Sequence, residues 1–236
     1  MKAPLILALD TSDIDTAKAW VEATHESVAV YKLGLEFFLN FGHAGVRAIQ
    51  NVTDADIFLD LKLHDIPHTV AGAAHAISSL KPRFLTIHAS GGPAMIKSAV
   101  QAVPDIEITA VTILTSLTES DLFQIGFSNN SLESAVALAK MAVENGAKAI
   151  VCSPLEVGAI RSAVGVQTTL ITPGVRPLAD VGKDDQNRTM TPKEAISNGA
   201  SFVVIGRPIT NEWKNGRSAM RSRAAEIATE LMDQKK

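Results

Sequence analysis

Cysteine and tyrosine each occur once in the 236 residues, tryptophan twice, and aromatics make up only 5% of the chain. The single thiol, Cys152, excludes an internal disulfide framework and suits a reducing compartment. Neither sign of charge dominates: 22 Lys and Arg stand against 25 Asp and Glu, for a net −3 at pH 7. The basic excess that neutralises a nucleic-acid backbone or an anionic membrane surface is therefore missing. No apolar run approaches the roughly 18 residues of a membrane span. The apolar stretch in MKAPLILALD is closed by Asp10 before reaching the length of a signal-peptide core. Also lacking are a G-x-G-x-x-G turn after an early strand and the H-E-x-x-H pair of a zinc site, for Pro67 lies between His64 and His68 with no glutamate. Hydrophobic residues are plentiful at 46%, enough to close a core and exclude disorder. These features together predict a soluble, cytoplasmic protein with no nucleic-acid or membrane partner, and they make a zinc site at His64 and His68 improbable.

Short apolar, β-branched runs recur along the chain at residues 4–10, 28–34, 56–62, 84–89, 107–115, 149–153, 168–174 and 202–207. Several, such as LILAL and FVVIG, scarcely alternate, as parallel strands covered on both faces should not. Helical signals fill the gaps. Ala135, Leu138, Ala139, Ala142 and Val143 form an apolar face within 132–145 behind Ser131, and Gly146 stops it. Thr191-Pro192-Lys193-Glu194 is a capping box with proline at the first helical position. Ser153-Pro154 is expected to open another helix, and Met220, Ala224, Ile227, Ala228 and Leu231 make the stripe of the last one. Trp20 falls with Ala17, Val21 and Thr24 on the packed side of the first. Eight strand–helix units of about 30 residues predict an α/β fold, a single-domain (β/α)8 barrel over residues 1–236. An open doubly wound sheet is the alternative. The polar stretch 179–189 (ADVGKDDQNRT) is expected to form a long functional loop.

Such barrels place their active sites at the carboxyl ends of the strands. Polar or ionisable residues stand at that end of six predicted strands: Asp10, Lys32, Asp60 to Asp65, Thr115, Arg176 and Arg207. The third strand is densest, and a period of two puts Asp60 and Lys62 on one face, inward if Leu59 and Leu61 face the helices. Opposite charges in a barrel mouth are costly unless paired, and Asp10, Lys32 and Asp65 are candidates to complete the network. The plainer reading is an ion pair that merely fixes the strand. An ammonium held between carboxylates keeps its proton, which suits proton donation better than Schiff-base formation. Loops after strands seven and eight form the recurring phosphate site of these barrels. There Gly206 would let backbone N–H groups approach an anion, and Arg176 and Arg207 offer planar forks. His88 reads as a structural histidine and Cys152 as inert core.

These segments, from Leu7-Ala8-Leu9-Asp10 and Tyr31-Lys32-Leu33-Gly34 through Phe58-Leu59-Asp60-Leu61-Lys62-Leu63-His64-Asp65-Ile66-Pro67-His68-Thr69-Val70 and Leu114-Thr115-Ser116 to Thr172-Pro173-Gly174-Val175-Arg176 and Ile205-Gly206-Arg207-Pro208, resemble the orotidine 5′-phosphate decarboxylase family. The D-x-K-x-x-D core also occurs in related Mg²⁺-dependent sugar-phosphate barrels; the Asp65-Ile66-Pro67-x-Thr69 continuation separates the decarboxylase. The resemblance implies that Lys62 donates the proton to C6 of orotidine 5′-monophosphate and that Asp60 lies against the departing carboxylate. It implies a charged array of Lys32, Asp60, Lys62 and Asp65, with no metal or organic cofactor. Asp10 and Lys32 would hold the ribose, Thr115 the pyrimidine edge, and Arg207, Gly206, Gln186 and Arg176 the phosphate end. A homodimer is implied, in which Asp65, Ile66 and Thr69 reach the partner's site. A metal-dependent sugar-phosphate enzyme and a non-catalytic nucleotide-binding module are the competing readings.

Overall fold

The computed structural model describes residues 2–177 and 190–233. Eight parallel strands close a barrel in chain order: β1 (Leu5–Ala8), β2 (Val30–Gly34), β3 (Asp56–Leu63), β4 (Phe84–His88), β5 (Glu107–Val111), β6 (Ala149–Val151), β7 (Thr169–Thr172) and β8 (Phe202–Ile205). β8 returns to β1 in the register Leu5↔Val203, Ile6↔Val204 and Leu7↔Ile205. The alternation of side chains along each strand makes two cores. Ile6, Val30, Phe58, Phe84, Ile171 and Val204 point inward and fill the barrel, with Phe58 and Phe84 edge-to-face at 5.7 Å. Leu5, Leu7, Leu33, Leu59, Leu85 and Ile205 point outward into the layer under the helices. Full burial of a residue such as Leu59 or Phe84 is worth about 1.5–3 kcal/mol each, so both layers hold the strands in register.

The helices are α1 (Ile14–Thr24), α2 (Leu35–Gln50), α3 (Pro67–Ile77), α4 (Gly92–Ala102), α5 (Glu119–Gln124), α6 (Ser131–Glu144), α7 (Val157–Val164), α8 (Pro192–Ser197), α9 (Arg207–Thr210) and α10 (Arg217–Met232). α1 starts where the Asp13 carboxylate accepts the N–H groups of Asp15 and Thr16, and it buries Ala17, Trp20, Val21 and Thr24. The capping box at Thr191 and Glu194 opens α8, and the α10 stripe is buried as the pattern predicts. α7 begins later than expected. Ser153 and Pro154 lie in a turn, and the helix starts at Val157 behind Glu156, whose carboxylate reaches back to the Ser153 N–H at 3.2 Å. That bond holds the turn for three further residues before the helical ladder can begin. Two short helices went unread in the sequence: α5, with a Thr118–Asp121 capping box, and α9, which takes Arg207 out of the eighth strand.

Candidate active site

Lys32, Asp60 and Lys62 lie within β2 and β3, whereas on β1 and β8 strand pairing stops short of the residues that carry charge. β1 ends at Ala8, two residues before Asp10, and β8 at Ile205, just before Gly206 and Arg207. These chain ends and the last residues of the strands surround a cavity of about 290 Å3 at the carboxyl end of the barrel. Asp10, Lys32, Asp60 and Lys62 line one side, Thr115, Arg176 and Arg207 line others, and Phe58 and Val204 rise from the inner core as its floor. A larger cavity of about 570 Å3 lies outside the barrel between Ser78 and Ile106, but its charged lining residues, Lys81 and Asp105, make no ion pair with one another. Convergence of charge rather than volume singles out the mouth.

Lys32 lies between two carboxylates, 3.4 Å from Asp10 Oδ1 and 3.5 Å from Asp60 Oδ2. Lys62 Nζ donates to Asp60 Oδ1 at 2.8 Å. The side chains of Lys32 and Asp60 are each only 13% exposed, whereas Lys62 is 30% exposed at the cavity. Burial by itself favours a protonated Asp60. The ammonium groups of Lys32 and Lys62, with hydrogen bonds from Lys62 and Thr86, outweigh it and hold the carboxyl below its ordinary range. Gly34 leaves room for this packing, since a Cβ there would sit 3.3 Å from Lys32 Nζ and press on the array.

Asp60 and Lys62 share the mouth, but not through strand alternation alone. Lys62 has φ +48°, a left-handed backbone rare for a residue with a Cβ. The register against β4 slips there, with Leu59↔Leu85 followed by Leu63↔Ile87, so residues 60–62 stand opposite Thr86 alone. No glycine marks this bulge, so the residue pattern alone does not announce it.

Asp65 does not join the array in this chain. Asp65, Ile66 and Thr69 are exposed where β3 passes into α3; among the described residues the Asp65 carboxylate accepts the Ile66 N–H alone, at 2.6 Å, and Ile66 is 66% exposed. Arg176 is 7% exposed, donates to the Val175 carbonyl at 3.0 Å, and is anchored by its own N–H on the Met190 carbonyl at 2.9 Å. A Cβ on Gly206 would come within 3.5 Å of Ala8 Cβ and 4.0 Å of Asp10 Oδ2, so its backbone borders the cavity. Gln186 and the expected 179–189 loop lie outside the described residues. His88, half-buried at the end of β4, faces His64 with ring centroids 5.2 Å apart. Its pKa is lowered by burial first, then by His64 and Lys62. Cys152 borders the cavity yet is 1% exposed, and burial foremost, with Glu156, pushes its thiol up to about 12, as inert core should be.

The family described as "Orotidine 5'-phosphate decarboxylase / HUMPS family" matches residues 3–222. An orotidine 5′-phosphate decarboxylase of Thermobifida fusca (strain YX) is 47% identical over 231 residues, covering 98% of this chain and 97% of its own. One from Frankia casuarinae is 46% identical over 235 residues, covering 92% and 85%. The crystal structure of the Lactobacillus acidophilus orotidine 5′-phosphate decarboxylase superposes with a TM-score of 0.82 at 33% identity, covering 98% of this chain and 99% of that one. The lysine–carboxylate mouth is thus carried on a barrel that this group of proteins shares along nearly its whole length. The chain belongs to the orotidine 5′-phosphate decarboxylase / HUMPS family.

Proposed function

We propose that this chain, acting as one catalytic domain over residues 1–236, is a carboxy-lyase that converts orotidine 5′-monophosphate to uridine 5′-monophosphate in pyrimidine biosynthesis, with Lys62 as proton donor. The observation that carries the reading is the Lys62 ammonium held 2.8 Å from Asp60 at the cavity, with Lys32 neutralising the far side of the same carboxylate. The relatives named above as orotidine 5′-phosphate decarboxylases support the substrate.

The bond from C6 to the carboxyl carbon breaks, CO2 leaves, and the electron pair stays on C6. Without an electron sink, that pair needs positive charge already in place where it develops. A fixed ammonium stabilises the carbon and then protonates it, so the reaction needs neither a metal nor an organic cofactor. The neutral amine regains its proton from water. Asp60 orients the ammonium and faces the departing carboxylate. In this reading Asp10 and Lys32 hold ribose hydroxyls, Thr115 meets the pyrimidine edge, and Arg207, the Gly206 backbone, Gln186 and Arg176 hold the phosphate end.

The functional unit in this reading is a homodimer in the cytoplasm, with Asp65, Ile66 and Thr69 completing the partner's array. Their exposure here, and the exposed Leu35 and Leu39 on α2, support it. Among the described residues no helix is long and apolar enough to cross a membrane.

A spectrophotometric assay of orotidine monophosphate disappearance, run with and without EDTA, tests the whole reading. Turnover is expected in both; Lys62→Ala abolishes it while keeping product-nucleotide binding; and mixing Lys62→Ala with Asp65→Ala subunits restores part of it. Turnover near wild type in Lys62→Ala removes the lysine from its role. Loss of activity in EDTA points to the metal-dependent relatives, binding without turnover to a nucleotide-binding module, and failed complementation despite subunit exchange to unshared sites.

A further inference from the structure

The slip between β3 and β4 leaves the backbone N–H of Lys62 with no place in the strand ladder, since residues 60–62 face a single residue of β4. That residue is Thr86, fully buried on the inward face between Phe84 and His88. A threonine hydroxyl has one proton to give and lone pairs to accept, and here both capacities are used within the site. Thr86 Oγ1 accepts the Lys62 N–H at 2.8 Å and donates to Asp60 Oδ1 at 3.1 Å. The same Asp60 oxygen accepts from Lys62 Nζ at 2.8 Å. The result is a closed ring: the lysine's backbone is tied through Thr86 to the carboxylate that its own ammonium meets.

A left-handed residue with a Cβ persists only where its surroundings over-determine it. The Thr86 hydroxyl is the polar partner that does so here, and it fixes where the Lys62 side chain starts as well as where it ends. We propose that Thr86 is a positioning residue for the reaction, locking the left-handed backbone of Lys62 to the Asp60 carboxylate and thereby aiming the ammonium. The proposal rests on Lys62 being the proton donor.

Thr86→Val keeps the shape and removes the hydroxyl; Thr86→Ser keeps the hydroxyl and removes a methyl. Misplacement of a reacting group by about 1 Å costs on the order of 100-fold, so Thr86→Val is expected to lower kcat about 10- to 100-fold. Its KM and its affinity for uridine monophosphate should stay within about threefold of the parent, the pattern of an interaction that matters in the transition state alone. Thr86→Ser should stay within about threefold in kcat. Thermal melting recorded on each variant separates this from fold support, which would lower stability and leave the kcat-to-affinity split unmoved. The proposal is overturned if Thr86→Val keeps near-parental kcat, or if kcat and nucleotide affinity fall together. Should the valine variant not fold, Thr86→Cys, whose thiol is a weaker donor and acceptor, is judged on the same two quantities. Lys62→Ala run alongside keeps the failures distinct: turnover there removes the lysine's role, whereas a dead Lys62→Ala with normal Thr86→Val removes only that of Thr86.

Discussion

The barrel carries a charge cluster at each end, and the two are built to opposite purposes. At the amino end Arg83 donates to Asp56 at 2.9 Å and to Glu107 at 3.1 Å, and its guanidinium lies over the rings of Phe84 at 4.6 Å and Phe202 at 5.3 Å. A planar fork meets two carboxylates from the first residues of β3 and β5, on regular backbone. At the carboxyl end Lys32 and Lys62 share Asp60, two of the three ion pairs run to 3.4 and 3.5 Å, and one partner has a left-handed backbone. The first cluster closes the barrel with side chains packed on rings. The second opens on a cavity and concentrates charge where burial makes it expensive. Compact pairing on relaxed backbone marks structure; crowded charge on strained backbone beside a void marks chemistry.

The sharpest way to break the comparison is to neutralise one acid at each end. Asp60→Asn leaves two ammonium groups without their shared counter-charge, and kcat is expected to fall about 100- to 1,000-fold, the scale of losing one preorganised electrostatic partner. Steady-state kinetics with the phosphorylated substrate reads this directly. Arg83→Met at the other end should keep kcat within about twofold but lower the melting temperature by a few degrees. That corresponds to about 1–2 kcal/mol from the ring contacts and the partly exposed pairs. A matching loss of turnover in Arg83→Met would mean that the two ends are coupled through the inner core.

The smallest effect concerns pH. His88 titrates below its ordinary 6.5 because burial, His64 and Lys62 all disfavour its charge. Between 6.5 and the lowered value the unfolded chain binds the extra proton, so stability is full above that window and declines as acid is added. Asp60, also lowered, adds a decline of the same sign further down, below 3.8. Denaturant titrations from pH 7 to 5 should therefore show His88→Asn losing less stability than the parent. Parallel losses would assign the acid sensitivity to other groups.

Much of this could be read before any coordinates. The eight apolar runs became the eight strands because unbroken hydrophobic stretches suit strands covered on both faces; six ran one to four residues too long where the chain leaves the ladder for the mouth, whereas the second ended with its strand at Gly34 and the third one residue short of Leu63. The thirteen-residue signature around Asp60 and Lys62 gave the charged pair and its place. Thr86 was invisible, since a threonine inside FLTIH reads as one more β-branched strand former. Gly34 read as a strand end, and nothing in its neighbours announced that a Cβ there would touch Lys32. Arg83, Asp56 and Glu107 come from three different strand starts, and no local pattern joins them.

What the sequence determined alone is periodicity and residue type: which segments bury which face, how many units repeat, and which ionisable groups stand at the strand ends. These are local, because hydrophobic alternation and capping act over a few residues. Only the tertiary structure decided the register of β3 on β4, hence the left-handed turn at Lys62 and the partner found in Thr86, 24 residues away. Register is settled by how two strands pack side by side in the closed barrel, and a one-residue slip redirects every side chain beyond it.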